Sequence, residues 1–358
     1  MKNVVKVSCL RVGKAYGEKA IIVAKRTGLL NRDLRIQREQ DYLCIPLIQK
    51  PQKTDLNELK TNLPPFEILQ HEFLENVERP RKLVDLLSNR LPSSILSSLP
   101  HSIDHVGDIA VIEVPPELEN YKTIIGQTIL VSNKRVSTVL AKTGAVSGEY
   151  RIREFEPIAG VDKTATVHRE YGCIFHVDLA KAYFSPRLSY EHNRVASLVE
   201  EGEIVLDMFA GVGPFSILIA KKQKNVHVYA TELNPEAFKL LRKNILANRV
   251  STKVTPLLGD AGQIAKERLK GAIDRVIMNL PEKAIEHVDA ACQVLASHGG
   301  IMHYYEFTNT PKPLETAKMR LAEAVKQTDR KVEKILHSKI VRGVAPFTWQ
   351  VVVDAKIK

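Results

Sequence analysis

The passage that most constrains this chain is Val205-Leu206-Asp207-Met208-Phe209-Ala210-Gly211-Val212-Gly213-Pro214-Phe215-Ser216. An apolar strand ends in an acid, and a loop with two glycines opens a helix. Glycine lets the backbone approach a ligand that would clash with a Cβ. The passage sits in a repeating pattern. Strand-like segments at 204–207, 226–231, 253–258, 275–279 and 300–305 are each followed, or nearly so, by a helical stretch. That alternation implies a parallel sheet covered on both faces, the α/β class. Ligands of such sheets bind beyond the carboxyl ends of the strands.

Two more strand ends carry acids. Glu232 closes the segment beginning at Val226, 25 residues after Asp207 (232 − 207). A carboxylate there is placed to accept hydrogen bonds from both hydroxyls of a ribose. The next strand ends in Gly259-Asp260-Ala261, where an acid can accept from an adenine amino group. One such acid would be read as a cap on the following helix; three at successive strand ends point to a shared ligand. Ser216 stands where a dinucleotide fold has its third glycine, so the full phosphate cradle is missing. S-adenosylmethionine, which has no pyrophosphate, suits this loop better than a nicotinamide cofactor. The fourth strand ends in Asn279-Leu280-Pro281, and a side-chain amide there offers both donor and acceptor.

At 358 residues the chain exceeds what one core usually serves. A first module of residues 1–62 combines a strand at 4–10, a helical stretch at 12–27, and strand-like segments at 34–36 and 42–47. A polar, proline-containing linker follows at 50–65. A middle domain, 77–176, starts near Glu78, with helical periodicity through Leu83, Leu86, Leu87 and Leu91. Strands are expected at 105–114, 135–140, 150–155 and 164–170, and a glycine-containing loop at 142–148. The domain with the strand-end acids fills 177–358. Its last strands, 334–340 and 347–357, bracket Arg342-Gly343-Val344-Ala345-Pro346 and form an antiparallel pair at the sheet edge.

Lysine and arginine outnumber the acids by 52 to 41, a formal charge of +11. Such an excess attracts polyanions, though it also serves solubility. No apolar run approaches the roughly 20 residues of a membrane span, so no membrane partner is expected. The N-terminus has neither an apolar signal core nor a small-residue cleavage site, so the cytoplasm is the expected location. The four cysteines, Cys9, Cys44, Cys173 and Cys292, form no CxxC pair. Neither a metal site nor a disulfide framework is expected, and each cysteine reads as a small buried hydrophobe. A monomer is expected.

The chain resembles the archaeal and eukaryotic tRNA guanine-37 N1-methyltransferases over essentially its whole length. The resemblance rests on Tyr150-Arg151-Ile152-Arg153-Glu154, Tyr183-Phe184-Ser185-Pro186-Arg187-Leu188, Glu191, the 207–215 passage, Glu232-Leu233-Asn234-Pro235, Asn279-Leu280-Pro281 and His303-Tyr304-Tyr305. It implies a class I, Rossmann-like methyltransferase domain behind two smaller α/β or α+β domains. It also implies S-adenosyl-L-methionine as cofactor and tRNA, anticodon loop and body, as partner. Two departures are minor: the family often has aspartate where Glu232 stands, and the position of His192 varies between arginine and histidine.

N1 of a neutral guanine carries a proton, and charge gathers on O6 as it leaves. The reaction therefore wants a general base near N1 and a cation near O6, while the methyl sulfonium needs in-line placement. By resemblance Glu191 is the base and Arg151 the O6 cation, with Asn279 joining base and cofactor. From local sequence alone, Glu191 reads as an ordinary ion pair with Arg194 three residues on, and Arg151 and Arg153 read as exposed charges sharing one strand face. Arg187 is a candidate to orient Glu191 or the methionine carboxylate. The expected cofactor set is Arg187, His192, Asp207, Phe209, Gly211, Gly213, Glu232, Leu233, Asp260, Ala261, Asn279 and Pro281. Glu282 and Lys283 follow the proline where amino-group methyltransferases often carry an aromatic, which favours a ring-nitrogen target. Tyr183 and Phe184 are candidates for stacking.

Three alternatives remain open at this point. One is the wybutosine-pathway transferase that moves the aminocarboxypropyl group of the same cofactor, and a second is a bifunctional wyosine-type methyltransferase. The Asn279-Leu280-Pro281 motif weighs against both. The third is an RNA-binding protein with a degenerate methyltransferase fold, disfavoured by the intact Asp207, Glu232, Asp260 and Asn279. The first module, with Lys14, Lys19, Lys25, Arg26, Arg32 and Arg35, is expected to recognise the tRNA body.

Overall fold

The computed structural model describes residues 4–75, 83–100, 102–144 and 148–358. The expected start of the middle domain near Glu78 and the tip of the 142–148 loop lie outside the described residues. The chain forms two compact units, Met1–Lys82 and Leu83–Lys358.

The first unit holds β1 (Val4–Gly13), α1 (Gly17–Arg26), β2 (Gln37–Arg38), β3 (Tyr42–Pro46), α2 (Lys53–Asn62) and β4 (Glu67–Leu74). Its sheet order is β2-β3-β1-β4. Three expectations need correction. The helix expected from 12 begins at Gly17, because β1 continues to Gly13 in register with β3. The linker expected at 50–65 is mostly α2. Its start is closed by a capping box between Gln52 and Asp55, and its only fully buried residue is Leu59, which is why the segment reads as polar. The module does not end at 62, because β4 pairs antiparallel with β1 from Val4↔Leu74 to Arg11↔Glu67. Leu10, Val23, Ile45, Leu47 and Leu59 form its core.

The second unit opens with two short helices, α3 (Leu83–Leu87) and α4 (Ser93–Leu96). A four-stranded sheet follows, built from β5 (Asp104–Val106), β6 (Ile109–Glu113), β7 (Thr138–Lys142) and β8 (Phe155–Gly160), with α5 (Lys122–Ser132) between β6 and β7. The single strand expected at 105–114 is broken by a turn at Gly107, where φ is +56° and a Cβ would lie 2.2 Å from Thr166 Oγ1. Helix α5 went unrecognised in the sequence because Thr123, Ile124, Ile125, Thr128, Ile129 and Val131 are β-branched and mimic a strand. The strand expected at 150–155 is a turn and an irregular segment, with Arg151 at φ +56°, so Arg151 and Arg153 do not share a strand face. A hairpin, β9 (Ala165–Glu170) and β10 (Cys173–Asp178), comes next.

After α6 (Ser189–Leu198) comes the seven-stranded sheet: β11 (Ile204–Asp207), α7 (Pro214–Lys222), β12 (His227–Glu232), α8 (Pro235–Ala247), β13 (Val254–Leu258), α9 (Ala261–Arg268), β14 (Arg275–Met278), α10 (Val288–Val294), β15 (Gly300–Thr308), α11 (Pro313–Lys326), β16 (Val332–Ala345) and β17 (Thr348–Ile357). The order is β13-β12-β11-β14-β15-β17-β16, parallel except for the antiparallel β15–β17 and β17–β16 pairs. The order in which strands are added reverses between the parallel neighbours β11 and β14, and a crevice opens at such a switch point. Alternation puts Val205 in the core on one face of the sheet and Leu206 in the core on the other.

The expected division between 77–176 and 177–358 runs through β10. Val106, Ile109, Val111 and Leu140 of the four-stranded sheet also pack into the same core as Phe175, Val205, Phe215 and Tyr305. Residues 83–358 therefore form one compact unit containing the four-stranded sheet, the β9–β10 hairpin and the seven-stranded sheet.

Candidate active site

A cavity of about 370 Å³ opens at the carboxyl ends of β11, β12, β13 and β14. Among the residues singled out in the sequence, Arg151, His192, Phe209, Gly211, Glu232, Leu233, Asp260, Ala261, Asn279 and Pro281 line it. Glu232 is held from both sides. The N–H of Gly211 donates to Oε2 (2.7 Å) and that of Asn234 to Oε1 (2.8 Å). Burial pushes its carboxyl above the usual value, and these amides only partly counter that. The carboxylate also lines the cavity. Gly211, at φ +57°, has no atom nearer than 3.8 Å to where a Cβ would stand. Here glycine serves backbone conformation and an open wall.

Asp260 caps α9, its Oδ1 accepting from the Gln263 N–H at 2.8 Å. It therefore does the ordinary capping work while also facing the cavity. Phe209 stands edge-on to His287, 5.1 Å between centroids. His192 is buried, with Nδ1 2.7 Å from Glu170 Oε1 and its ring edge-on to Phe215.

Four expected residues lie outside this cavity. Asp207 is fully buried and accepts the Ser216 hydroxyl at 2.6 Å. Burial raises its pKa to about 6 against that hydrogen bond. It ties the end of β11 to α7 rather than facing a ligand. Gly213 is needed for its backbone, at φ +92°, and it also leaves room for Leu241 Cδ1, which a Cβ would approach to 2.5 Å. Arg187 points to the four-stranded sheet, donating to Asp104 Oδ1 (2.6 Å) and Ser102 Oγ (2.9 Å), so it orients neither Glu191 nor a methionine carboxylate.

Glu191, 2% exposed, accepts from Arg194 Nε (2.9 Å) and the Tyr305 hydroxyl (3.0 Å), both at Oε2. The Arg194 ion pair read from local spacing is present, but buried. It is the end of a longer chain of polar side chains. Arg194 also donates to Asp354 (2.5 Å), which takes His303 Nδ1 at 2.7 Å. Arg275 Nη1 lies 2.9 Å from His303 Nε2, and Arg275 closes on Glu203 with two bonds of 2.6 and 2.7 Å. A guanidinium only donates, so His303 Nε2 must be the acceptor and the imidazole neutral, with its proton on Nδ1. Burial pushes the Asp354 carboxyl up, but His303 and Arg194 outweigh it and hold it well below the usual range.

A second cavity, about 670 Å³, adjoins the first and shares Arg151, Tyr183, Phe184, Ser185, Phe307 and Arg342 with it, and Glu282 lines the second alone. Lys142, Arg153 and Arg187 also line it. Arg151 pairs with Glu282 at 2.5 Å and lies over the Tyr183 ring. Arg342 and Gln350 were not singled out as site residues. Arg342 donates to Ser185 Oγ (2.9 Å), the Tyr183 hydroxyl (3.0 Å) and Gln350 Oε1 (2.8 Å), and Gln350 Nε2 donates to Asn279 Oδ1 (3.2 Å). The available signal was a glutamine between Trp349 and the apolar run Val351–Val353 of β17, since a buried amide needs partners.

In the first unit, Glu39, Cys44 and His71 bring ligand-type atoms within 4.8 Å of one another. Arg11 Nε already engages Glu39 (3.1 Å), and Gln37 Oε1 engages His71 Nε2 (2.9 Å). Linear cysteine spacing missed this grouping because it comes from separate segments. All four cysteines are buried.

The model of the TRM5/TYW2 methyltransferase domain matches residues 166–335, that of the TYW2 N-terminal domain 83–164, and that of the tRNA methyltransferase 5 N-terminal domain 9–55. The chain is 38% identical over 330 residues to the tRNA (guanine(37)-N(1))-methyltransferase Trm5b of Pyrococcus abyssi, covering 92% of this chain and 93% of that one. This chain belongs to the TRM5/TYW2 methyltransferase family. A solved complex of aTrm5 with tRNALeu superposes with a TM-score of 0.66 at 31% identity, over 98% of this chain and 99% of that one. A more distant member is the tRNA(Phe) (4-demethylwyosine(37)-C(7)) aminocarboxypropyltransferase of Methanocaldococcus jannaschii, 33% identical, covering 71% of this chain and 96% of that protein. No helix among the described residues is long and apolar enough to cross a membrane.

Proposed function

We propose that the protein transfers the methyl group of S-adenosylmethionine to N1 of guanosine 37 of tRNA. The observation that carries this reading is likeness to Trm5b over nearly the whole of both chains, together with a cavity lined by both Glu232 and Asn279, at the ends of β12 and β14 on either side of β11. The aminocarboxypropyltransferase is matched along almost its full length by only 71% of this chain. The extra length here includes the Trm5-type N-terminal domain at 9–55.

Within this reading the carboxylate of Glu232 takes the ribose hydroxyls. Leu233, Asp260 and Ala261 border the adenine, with Asp260 Oδ2 left to accept its amino group. The guanine enters from the basic second cavity, where Arg151 exchanges Glu282 for the charge developing on O6. Glu191 is the general base. Its Oε1 is buried with no hydrogen-bond partner among the described residues, and the role requires this oxygen to turn toward the cavity that neighbouring His192 lines. The bound cofactor supplies the electrophilic methyl, and this chain's residues position the acceptor and remove its proton.

The deciding experiment incubates purified protein, S-adenosylmethionine and an unmodified tRNA transcript with guanosine 37, then analyses nucleosides by mass spectrometry. 1-Methylguanosine at that position is the expected product. An aminocarboxypropyl adduct, or no product from a chain that binds the cofactor by calorimetry, refutes the reading.

A further inference from the structure

We propose that Gln350, locked by Arg342, is a positioning residue that makes Asn279 a hydrogen-bond donor toward the acceptor atom of the target base. The inference rests on the proposed reaction and adds to it the way the base edge is read.

Hydrogen-bond chemistry runs in one direction along this chain of groups. A guanidinium has donors and no acceptor. Arg342 Nε meets the Gln350 amide at 2.8 Å, so the atom it meets must be oxygen. The Gln350 NH2 is then the group facing Asn279, at 3.2 Å, and Asn279 must answer with its oxygen. The NH2 of Asn279 is then the end turned to the cavity it lines. Assignment of amide oxygen and nitrogen is normally ambiguous; here Arg342 removes the ambiguity for both amides. Reversing either one would set donor against donor at a site where Gln350 is 1% exposed.

The surrounding backbone holds the arrangement in place. Gln350 pairs with Phe307 of β15 and Arg342 of β16. The Phe307 N–H donates to the Pro281 carbonyl at 3.1 Å, fastening the segment that carries Asn279. Arg342 also holds Ser185 and Tyr183 on the opposite wall. An amide presenting its NH2 suits a base edge carrying a carbonyl, such as O6 of guanine, and opposes an exocyclic amino group, which would meet it donor to donor. The same amide with its oxygen free would favour an amino group instead.

The test is a substitution cycle between Gln350 and the base atom. Gln350→Glu keeps an acceptor for Arg342 but loses the donor to Asn279, which is then free to reverse. Single-turnover methylation is measured for full-length tRNA carrying guanosine or 6-thioguanosine at position 37, whose sulfur is a weak acceptor. In wild type the thio substitution should slow the reaction. Gln350→Glu should slow guanosine by about 10- to 100-fold and shrink the ratio between the two substrates, with S-adenosylmethionine affinity retained. Comparing ratios cancels the different acidities of the bases. Arg342→Ala, which frees the glutamine amide, should shrink the same ratio and covers the case in which Gln350→Glu does not fold. An unchanged ratio in the folded variants overturns the inference while leaving the proposed reaction standing. Failure of wild type to produce 1-methylguanosine overturns both.

Discussion

Glu232→Ala gives two separable readings of one carboxylate. In the wild type the group accepts the Gly211 and Asn234 N–H groups at 2.7 and 2.8 Å. Truncation strands both donors, and an unsatisfied buried donor costs about 1–3 kcal/mol. Water entering the emptied cavity recovers part of that, so a loss of about 2–4 kcal/mol in unfolding free energy is expected. If the carboxylate also holds the ribose, the variant also loses a charge-assisted hydrogen bond worth about 1.5–3 kcal/mol, weakening S-adenosylmethionine binding by roughly 10- to 150-fold. Urea unfolding reads the first quantity and calorimetric titration of the cofactor the second. Adenosine competition locates the effect, since a ribose contact weakens adenosine and the intact cofactor alike. An unchanged dissociation constant in a folded variant would move the ribose contact elsewhere. A large loss for the cofactor with none for adenosine would assign Glu232 to the other end of the ligand.

Glu191→Gln should retain cofactor binding and lose about 10²–10⁴-fold in single-turnover rate, with the wild-type rate rising with pH while proton removal limits it; near-normal turnover means Glu191 is not the base. Asp354 is held below the usual carboxylate range, so its stabilisation is present above the ordinary value and lost as pH falls through the depressed one. Asp354→Asn should cost about 3–5 kcal/mol at neutral pH and flatten the acid limb of a urea-unfolding profile, and an unchanged limb would remove Asp354 from the pH dependence. Removal of the first unit should leave cofactor binding and anticodon stem-loop methylation intact while abolishing preference for full-length, folded tRNA, because tethering adds a second contact at high local concentration. The cut belongs at Leu83, since one near Pro64 would keep β4 without its partner β1; a truncated enzyme that still discriminates intact tRNA would assign the unit another role.

What was legible in the sequence, and what was not, follows from the range of the interactions involved. Strand ends with an acid or an amide are local patterns, so β11, β12, β14 and the loop between β11 and α7 could be placed from periodicity and glycine spacing alone. Residue type did not say which way each side chain turns. Asp207 and Glu232 both end parallel strands, yet Asp207 turns inward to Ser216 while Glu232 faces the cavity. The difference lies in Gly211 and Asn234, whose N–H groups hold Glu232 at the cavity wall. Gly211 and Gly213 look alike in the motif, but one opens a wall and the other makes room for Leu241 of α8.

Longer-range relations were further out of reach. Arg187 follows a motif that suggests a ligand contact, but the fold of the preceding sheet brings Asp104 to it across 83 residues. Glu191 joins Asp354 through Arg194 only because β17 inserts between β15 and β16. The same insertion brings Gln350 to Asn279, 71 residues away. The antiparallel pair expected at the sheet edge is present there, and its inner strand, β17, lies against β15. A strand placed next to β15 can send polar side chains to the switch point from behind, where they orient groups that touch the ligand without touching it themselves. Gln350 and Asp354 sit four residues apart on one face of β17 and reach different neighbours, Asn279 and the Arg194–Glu191 pair. Two buried polar residues in a run of valines would cost stability with no return in packing, so their cost is best explained by the two side chains they hold.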